Sequence, residues 1–324
     1  MTRRTNAQYW RTTRTFIVAI AVLGLTALFQ LSVNAQPRQK VRTMSIPISI
    51  FTKQEIREGT PEEILQVDRL IVRENREEQQ ILSIRSITDA PLSLAILIQD
   101  GLTANVNLQL GELRNFVKQL PRGSRVMVAY LRGGSIQIRQ RFTTDLDRAA
   151  LAFRVVSSSD SAAAGDPYSG VADALDRFDA LPAGRRAILL VSDGLDISGG
   201  LQNLPSGNSV DLDRAILRAQ RKNVAVFTFY SPTALTESGR GPAVLGAQGS
   251  LLRLADETGG RAFFQGTSAP VSFDPFFREL RILLNRQFLL SYLSTNMKKG
   301  YYKVEVQSTN PAVKIEHPKG YYYR

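Results

Sequence analysis

Two stretches of the chain are almost wholly apolar and stop at the same dipeptide: Leu92 to Gln99 runs into Asp100-Gly101, and Ala187 to Ser192 runs into Asp193-Gly194. Runs this short and this apolar predict strands buried on both faces, as in a parallel sheet covered by helices. Around them the period switches. Val106, Leu110, Leu113, Val117 and Leu120 recur at helical spacing, and Val171, Leu175 and Phe178 repeat it. Strands are expected at Arg125 to Leu131, Ser135 to Phe142, Val224 to Phe229 and Arg261 to Phe264. Further helices are expected from Thr144-Asp145, over Asp211 to Arg221, from Leu251 to the stop at Gly259-Gly260, and over Phe273 to Asn285. Residues 157–166, 195–209 and 231–249 are polar or Gly/Ser/Pro-rich and predict loops.

On either side of this β/α block the pattern is all strand. Val41 to Phe51 alternates through Met44, Ile46 and Ile48; Leu65 to Val72 and Gln80 to Ile87 follow, joined by a charged turn from Arg73 to Glu78 that reads as a solvated hairpin tip. After the block come Gln287 to Leu293, Tyr301 to Gln307, Val313 to His317 and the terminal Tyr321 to Tyr323. Neither set is large enough for an independent sheet, so the two are expected to pair with each other into one small sandwich around the inserted α/β block. The divisions are 1–35, a linker over 36–43, an N-terminal β segment over 44–90, the α/β block over 91–286 and a C-terminal β segment over 287–324.

The first 35 residues change the picture of where the chain works. Arg3, Arg4, Arg11 and Arg14 precede an apolar run from Phe16 to Leu31 and the small-residue pattern Val33-Asn34-Ala35. That order describes a secretory signal peptide; the competing reading is an uncleaved anchor over residues 15–34. Either way the remainder is expected to be exported, periplasmic or secreted. The formal charge of +12 falls to +8 without this segment, which carries four Arg and no acids. The residual bias is dispersed and lacks a basic, aromatic-interleaved cluster, so no nucleic-acid partner is expected. The chain has no cysteine, which excludes disulfides and thiolate metal sites. Its one histidine, His317, sits far in sequence from both aspartates, and Ser192 lacks the Gly-x-Ser-x-Gly frame of a nucleophile elbow. Enzymatic activity is not expected.

In open α/β sheets a ligand site lies beyond the carboxyl ends of the strands, where Asp100 and Asp193 are expected. The order of these segments resembles the von Willebrand factor type A domain over about 91–286. The whole mature chain is similar to the bacterial von Willebrand factor A-related acidobacterial domain family. The residues that carry the likeness are Asp100, Ala172-Asp-Ala-Leu175, Ser192-Asp193-Gly194 and Leu251-Leu-Arg-Leu-Ala through Thr258-Gly-Gly-Arg261. Val72-Arg-Glu-Asn to Gln79 carries it before the block, and Tyr302-Lys-Val-Glu-Val with Lys319-Gly-Tyr after it. The resemblance implies a Rossmann-like fold and a metal-ion-dependent adhesion site of the form Asp-x-Ser-x-Ser, a Thr and a later Asp. Here Leu102 and Ala104 stand at the two serine positions, leaving Asp100, Ser169 and Asp193 as a degenerate site for a weakly held Mg²⁺, Mn²⁺ or Ca²⁺. In the competing reading both aspartates cap helix N-termini and hydrogen-bond loop amides, with no ion. The function implied is an exported, non-enzymatic module that binds an unidentified extracytoplasmic protein. The alternative is a structural cell-envelope component with no metal or ligand at this edge.

Overall fold

The computed structural model describes residues 40–58, 70–86, 91–157, 165–182, 184–198, 209–237 and 242–323. The segments expected to be a signal or anchor (1–35), part of the linker and most of the 157–166 loop lie outside these residues. No helix among the described residues is long and apolar enough to cross a membrane.

The flanking strands are β1 (Arg42–Thr52), β2 (Leu70–Glu74) and β3 (Glu77–Ser86). The block holds β4 (Leu92–Gln99), β5 (Arg125–Arg132), β6 (Ser135–Thr143), β7 (Arg185–Ser192), β8 (Ala225–Tyr230) and β9 (Ala262–Phe263). Then follow β10 (Gln287–Ser294), β11 (Gly300–Ser308), β12 (Val313–Glu316) and β13 (Gly320–Tyr323). The block's sheet runs β6-β5-β4-β7-β8-β9, parallel throughout except for the antiparallel β5–β6 pair. Counted within the block this is the doubly wound order 3-2-1-4-5-6, and its reversal falls between β4 and β7. Asp100 and Asp193 leave the sheet from those two adjacent strands.

Helices cover both faces of this sheet. Leu94, Ile96 and Ile98 of β4 face a core shared with the helices Leu110–Lys118 and Asp274–Asn285, where Phe116 stacks on Phe277 at 4.6 Å. Ala95 and Leu97 face the opposite core, closed by the helices Pro167–Leu175, Val210–Lys222 and Pro242–Thr258. The continuous burial of β4 and β7 follows from this double cover.

The early and late strands do pair with each other, but they do not form the expected sandwich. They make one curled antiparallel sheet in the order β12-β1-β10-β3-β2-β11-β13. Early and late strands interleave, as in β1–β10, β10–β3 and β2–β11. The physical reason is edge satisfaction: one interleaved sheet leaves two edges with unpaired backbone groups, whereas two separate sheets would leave four. Ile48, Val72, Leu290, Tyr292 and Val304, drawn from early and late strands alike, share one core on this sheet.

Three local expectations need correction. The charged turn is a tight hairpin through Asn75 and Arg76, both at positive φ, as a type I′ turn requires. Yet Glu74 beside it is fully buried rather than part of a solvated tip. A short helix, Lys53–Glu58, was not anticipated, although Thr52-Lys-Gln-Glu55 is a capping box. Thr52 Oγ1 accepts from the Glu55 N–H at 3.0 Å, and Glu55 Oε2 accepts from the Thr52 N–H at 2.8 Å. Finally, the expected 231–249 loop is helical from Pro242 onward. Gly246 and Gly249 mask that helix in the sequence, and tertiary packing overrides their propensity.

The Thr258-Gly-Gly-Arg261 stretch joins the two sheets. Thr258 Oγ1 accepts the Val226 N–H at 3.0 Å, and a Cβ on Gly260 would lie 2.0 Å from the Val226 carbonyl oxygen, so only glycine fits there. Arg261 reaches Glu316 of β12, with Nε at 3.0 Å from Oε1.

Candidate functional site at the switch-point edge

The two apolar strands deliver their aspartates as expected, and a set of backbone bonds fixes the turns that follow. The Asp100 N–H donates to the Leu131 carbonyl at 2.8 Å, and Gly101 takes a positive φ of 84° to turn the chain away. Leu102, fully buried, forms an isolated antiparallel bridge with Thr233, and the Thr103 N–H donates to Pro232 at 2.9 Å. The loop after β4 is thereby zipped to the loop after β8. On β7, Ser192 Oγ donates to Gln99 Oε1, which also accepts the Asp193 N–H at 3.2 Å. Gly194 has φ +75°, and a Cβ there would sit 2.5 Å from Leu251 Cγ and 2.6 Å from the Ala247 carbonyl oxygen. The Asp-Gly sequence is therefore needed for close packing of the Pro242–Thr258 helix against the Asp193 loop.

Each carboxylate here is held by the protein's own donors. Asp193 is 1 % exposed; its Oδ1 accepts the Leu195 N–H at 3.0 Å and its Oδ2 the Thr233 hydroxyl at 2.7 Å. Burial pushes its carboxyl above the ordinary range, against those hydrogen bonds, which pull it down. Asp100 is 3 % exposed, and both its oxygens accept from Nη2 of Arg154, at 2.9 and 2.7 Å. Asp166 caps the Pro167–Leu175 helix through the N–H groups of Tyr168 and Ser169, both at 2.8 Å. Asp196 accepts from the Ser198 N–H at 2.9 Å and from Ser209 Oγ at 2.5 Å.

Asp100 and Asp193 thus end on neighbouring strands, but Ser169 engages Asp166 rather than either of them. Of the capping alternative, the loop-amide part describes Asp193, which accepts from Leu195. Asp100 instead pairs with a cation: the helix after it begins at Asn105 with Ala104 as its cap residue and has no side-chain cap. Within that helix Asn107 clamps the main chain of Val156, with bonds of 3.0 and 2.7 Å.

A divalent cation does not fit this donor set. Both Asp100 oxygens lie on a guanidinium, both Asp193 oxygens are engaged, Leu102 is packed in the core, and Ala104 has no side-chain oxygen. Among the described residues no three His, Cys, Asp or Glu side chains are grouped so as to hold a metal. Sequence reasoning missed Arg154, Tyr130 and Thr233. Only Thr233, in the loop after an apolar strand, lies where the fold would have directed attention.

No family model matches the chain, and no curated protein matches it. Solved structures similar to it include the conserved hypothetical protein BatB from Bacteroides thetaiotaomicron, at 16 % identity over 44 % of this chain and 66 % of that one, with a TM-score of 0.34. An aerotolerance-related membrane protein from Bacteroides fragilis is 12 % identical over 60 % of this chain and 99 % of its own, with a TM-score of 0.42. A von Willebrand factor type A structure from Catenulispora acidiphila is 10 % identical over 89 % of this chain and 74 % of its own, with a TM-score of 0.41.

Proposed function

We propose that the chain is an exported, non-enzymatic protein-binding module that meets its partner at the edge beyond β4 and β7. The observation that carries this reading is an apolar rim beside that edge. Leu108, Val155 and Val271 are 77 %, 67 % and 90 % exposed. Hydrogen bonds bring their main-chain segments together: Asn107 to Val156 on one side of Leu108, and Gln109 Nε2 to the Val271 carbonyl at 2.9 Å on the other. Exposed apolar side chains that cluster around a polar centre are a common feature of docking surfaces.

The chemistry of the edge supports binding over turnover. Its carboxylates are engaged by internal donors, and His317 follows β12 beside the other sheet, where Nε2 accepts from the Val306 N–H of β11 at 3.2 Å. The signal-like N-terminal pattern supports an extracytoplasmic partner.

Site-specific photo-crosslinking in cells tests the reading. Cross-linkers at positions 108 and 155 are expected to trap the same protein, and one at Arg122, at the opposite end of the sheet, is expected to trap none. Equal adducts from 122, or none from 108 and 155, would overturn it.

A further inference from the structure

We propose that the guanidinium of Arg154 is the resident cation of this edge, occupying the place at Asp100 that a divalent metal would need. A carboxylate as buried as Asp100 requires a counter-charge or several donors. Arg154 supplies the charge through Nη2, which faces both carboxylate oxygens. The side chain of Asp100 is 5 % exposed and that of Arg154 is 32 % exposed, so the pair lies at the surface end of a buried site.

The arginine is held in place independently of Asp100. Its guanidinium carbon lies 4.0 Å from the ring centroid of Tyr130. The Tyr130 hydroxyl donates to the Arg154 carbonyl at 2.9 Å and accepts the Arg154 N–H at 2.8 Å, so one side chain fixes both ends of the arginine. The chain before and after it is pinned as well: Arg114 Nη2 donates to the carbonyl of the preceding Phe153 at 3.1 Å, and Asn107 brackets Val156, two residues on. Nη1 of Arg154 donates to the Val155 carbonyl at 3.0 Å. Stacking and backbone clamping pre-organise the planar fork.

An arginine keeps its charge at every accessible pH and cannot dissociate as a bound ion does. Asp100 is therefore balanced by a charge tethered to the chain, and its counter-ion does not depend on metal supply. This inference concerns the site's own charge balance and holds whether or not a partner docks on the rim.

Thermal unfolding of the full chain tests it. Wild type is expected to melt at the same temperature in chelator and in millimolar Mg²⁺, Mn²⁺ or Ca²⁺. Arg154→Met is expected to lower the midpoint by about 5 °C. Adding Asp100→Asn is expected to restore at least half of that loss, because it removes the stranded charge. Where Arg154→Met alone does not fold, recovery of soluble protein in the double variant is the same readout. A cation-induced rise in wild type that Asp100→Asn abolishes would overturn the proposal, and so would the absence of rescue.

Discussion

The switch-point edge and the curled sheet each bury a carboxylate, and they balance it in different ways. At the edge, Asp100 is met by a full positive charge from Arg154. In the curled sheet, Glu74 is fully buried and is met by neutral donors: Tyr292 and Tyr321 hydroxyls at 2.8 and 2.6 Å, Ser294 Oγ at 2.6 Å and Asn296 Nδ2 at 2.8 Å. Arg42 stands one step removed, donating to the Tyr321 hydroxyl at 2.6 Å and lying 3.7 Å from the Tyr323 ring centroid. Burial, and then Glu74 itself, raise both tyrosine hydroxyls, so they stay protonated as donors. The difference teaches where each site can change. A carboxylate ringed by hydroxyls from β10 and β13 ties those strands to β2 and serves the fold. A carboxylate balanced by one partly exposed arginine at the carboxyl end of the sheet depends on that single side chain.

The largest expected break in this comparison is at Glu74. Glu74→Ala strands three buried hydroxyls and the half-buried Asn296 amide, and is expected to cost about 3–5 kcal/mol in chemical denaturation, more than the loss of Arg154. Glu74→Gln keeps one acceptor and should cost roughly half as much. A Glu74→Ala loss smaller than that of Arg154→Met would mean that the edge, not the curled sheet, is the more tightly coupled site.

The next effect sharpens the contrast within the edge. Thr233→Val removes the hydroxyl on Asp193 and is expected to cost about 1–2 kcal/mol at neutral pH. Burial raises the folded-state pKa of Asp193, so its contribution is fully present below the unfolded-state value and is lost as pH rises through the folded one. Thr233 opposes that loss by favouring the charged form. The gap between wild type and Thr233→Val should therefore shrink in acid and widen towards neutrality; a gap constant with pH would remove Asp193 as its cause.

The smallest effect belongs to His317. Its ring is buried between the Val306 N–H and the Pro318 carbonyl, and burial lowers its pKa below 6.5. The stability it contributes is present above 6.5 and is lost as pH falls through the depressed folded value. His317→Gln is expected to flatten the stability-pH slope just below 6.5; an unchanged slope would assign it to another group.

The candidate site was half legible. Asp100 and Asp193 stand out because each ends an apolar run, and a parallel strand shows itself in a single sequence. Arg154 gives no such signal: it follows a short helix, in a chain with 41 Lys and Arg, and its partner lies 54 residues away. Glu74 was hidden for the opposite reason, since it sits among charged neighbours that are exposed. The Lys53–Glu58 helix went unread although its capping box stands in the sequence, whereas the first turns of the Pro242–Thr258 helix were concealed by glycines.

What the sequence by itself determined is local and periodic: the apolar strands, the amphipathic helices, the Asp-Gly ends, and the division into β flanks around an α/β block. Only the tertiary structure decided which charges meet and how the flanks combine. Asp100 found Arg154 across 54 residues, and Glu74 found Tyr292 and Tyr321 across 218 and 247. The physical reason is that periodicity records which face of an element is buried, whereas the neutralisation of a buried charge depends on which distant side chain the fold brings within hydrogen-bond reach.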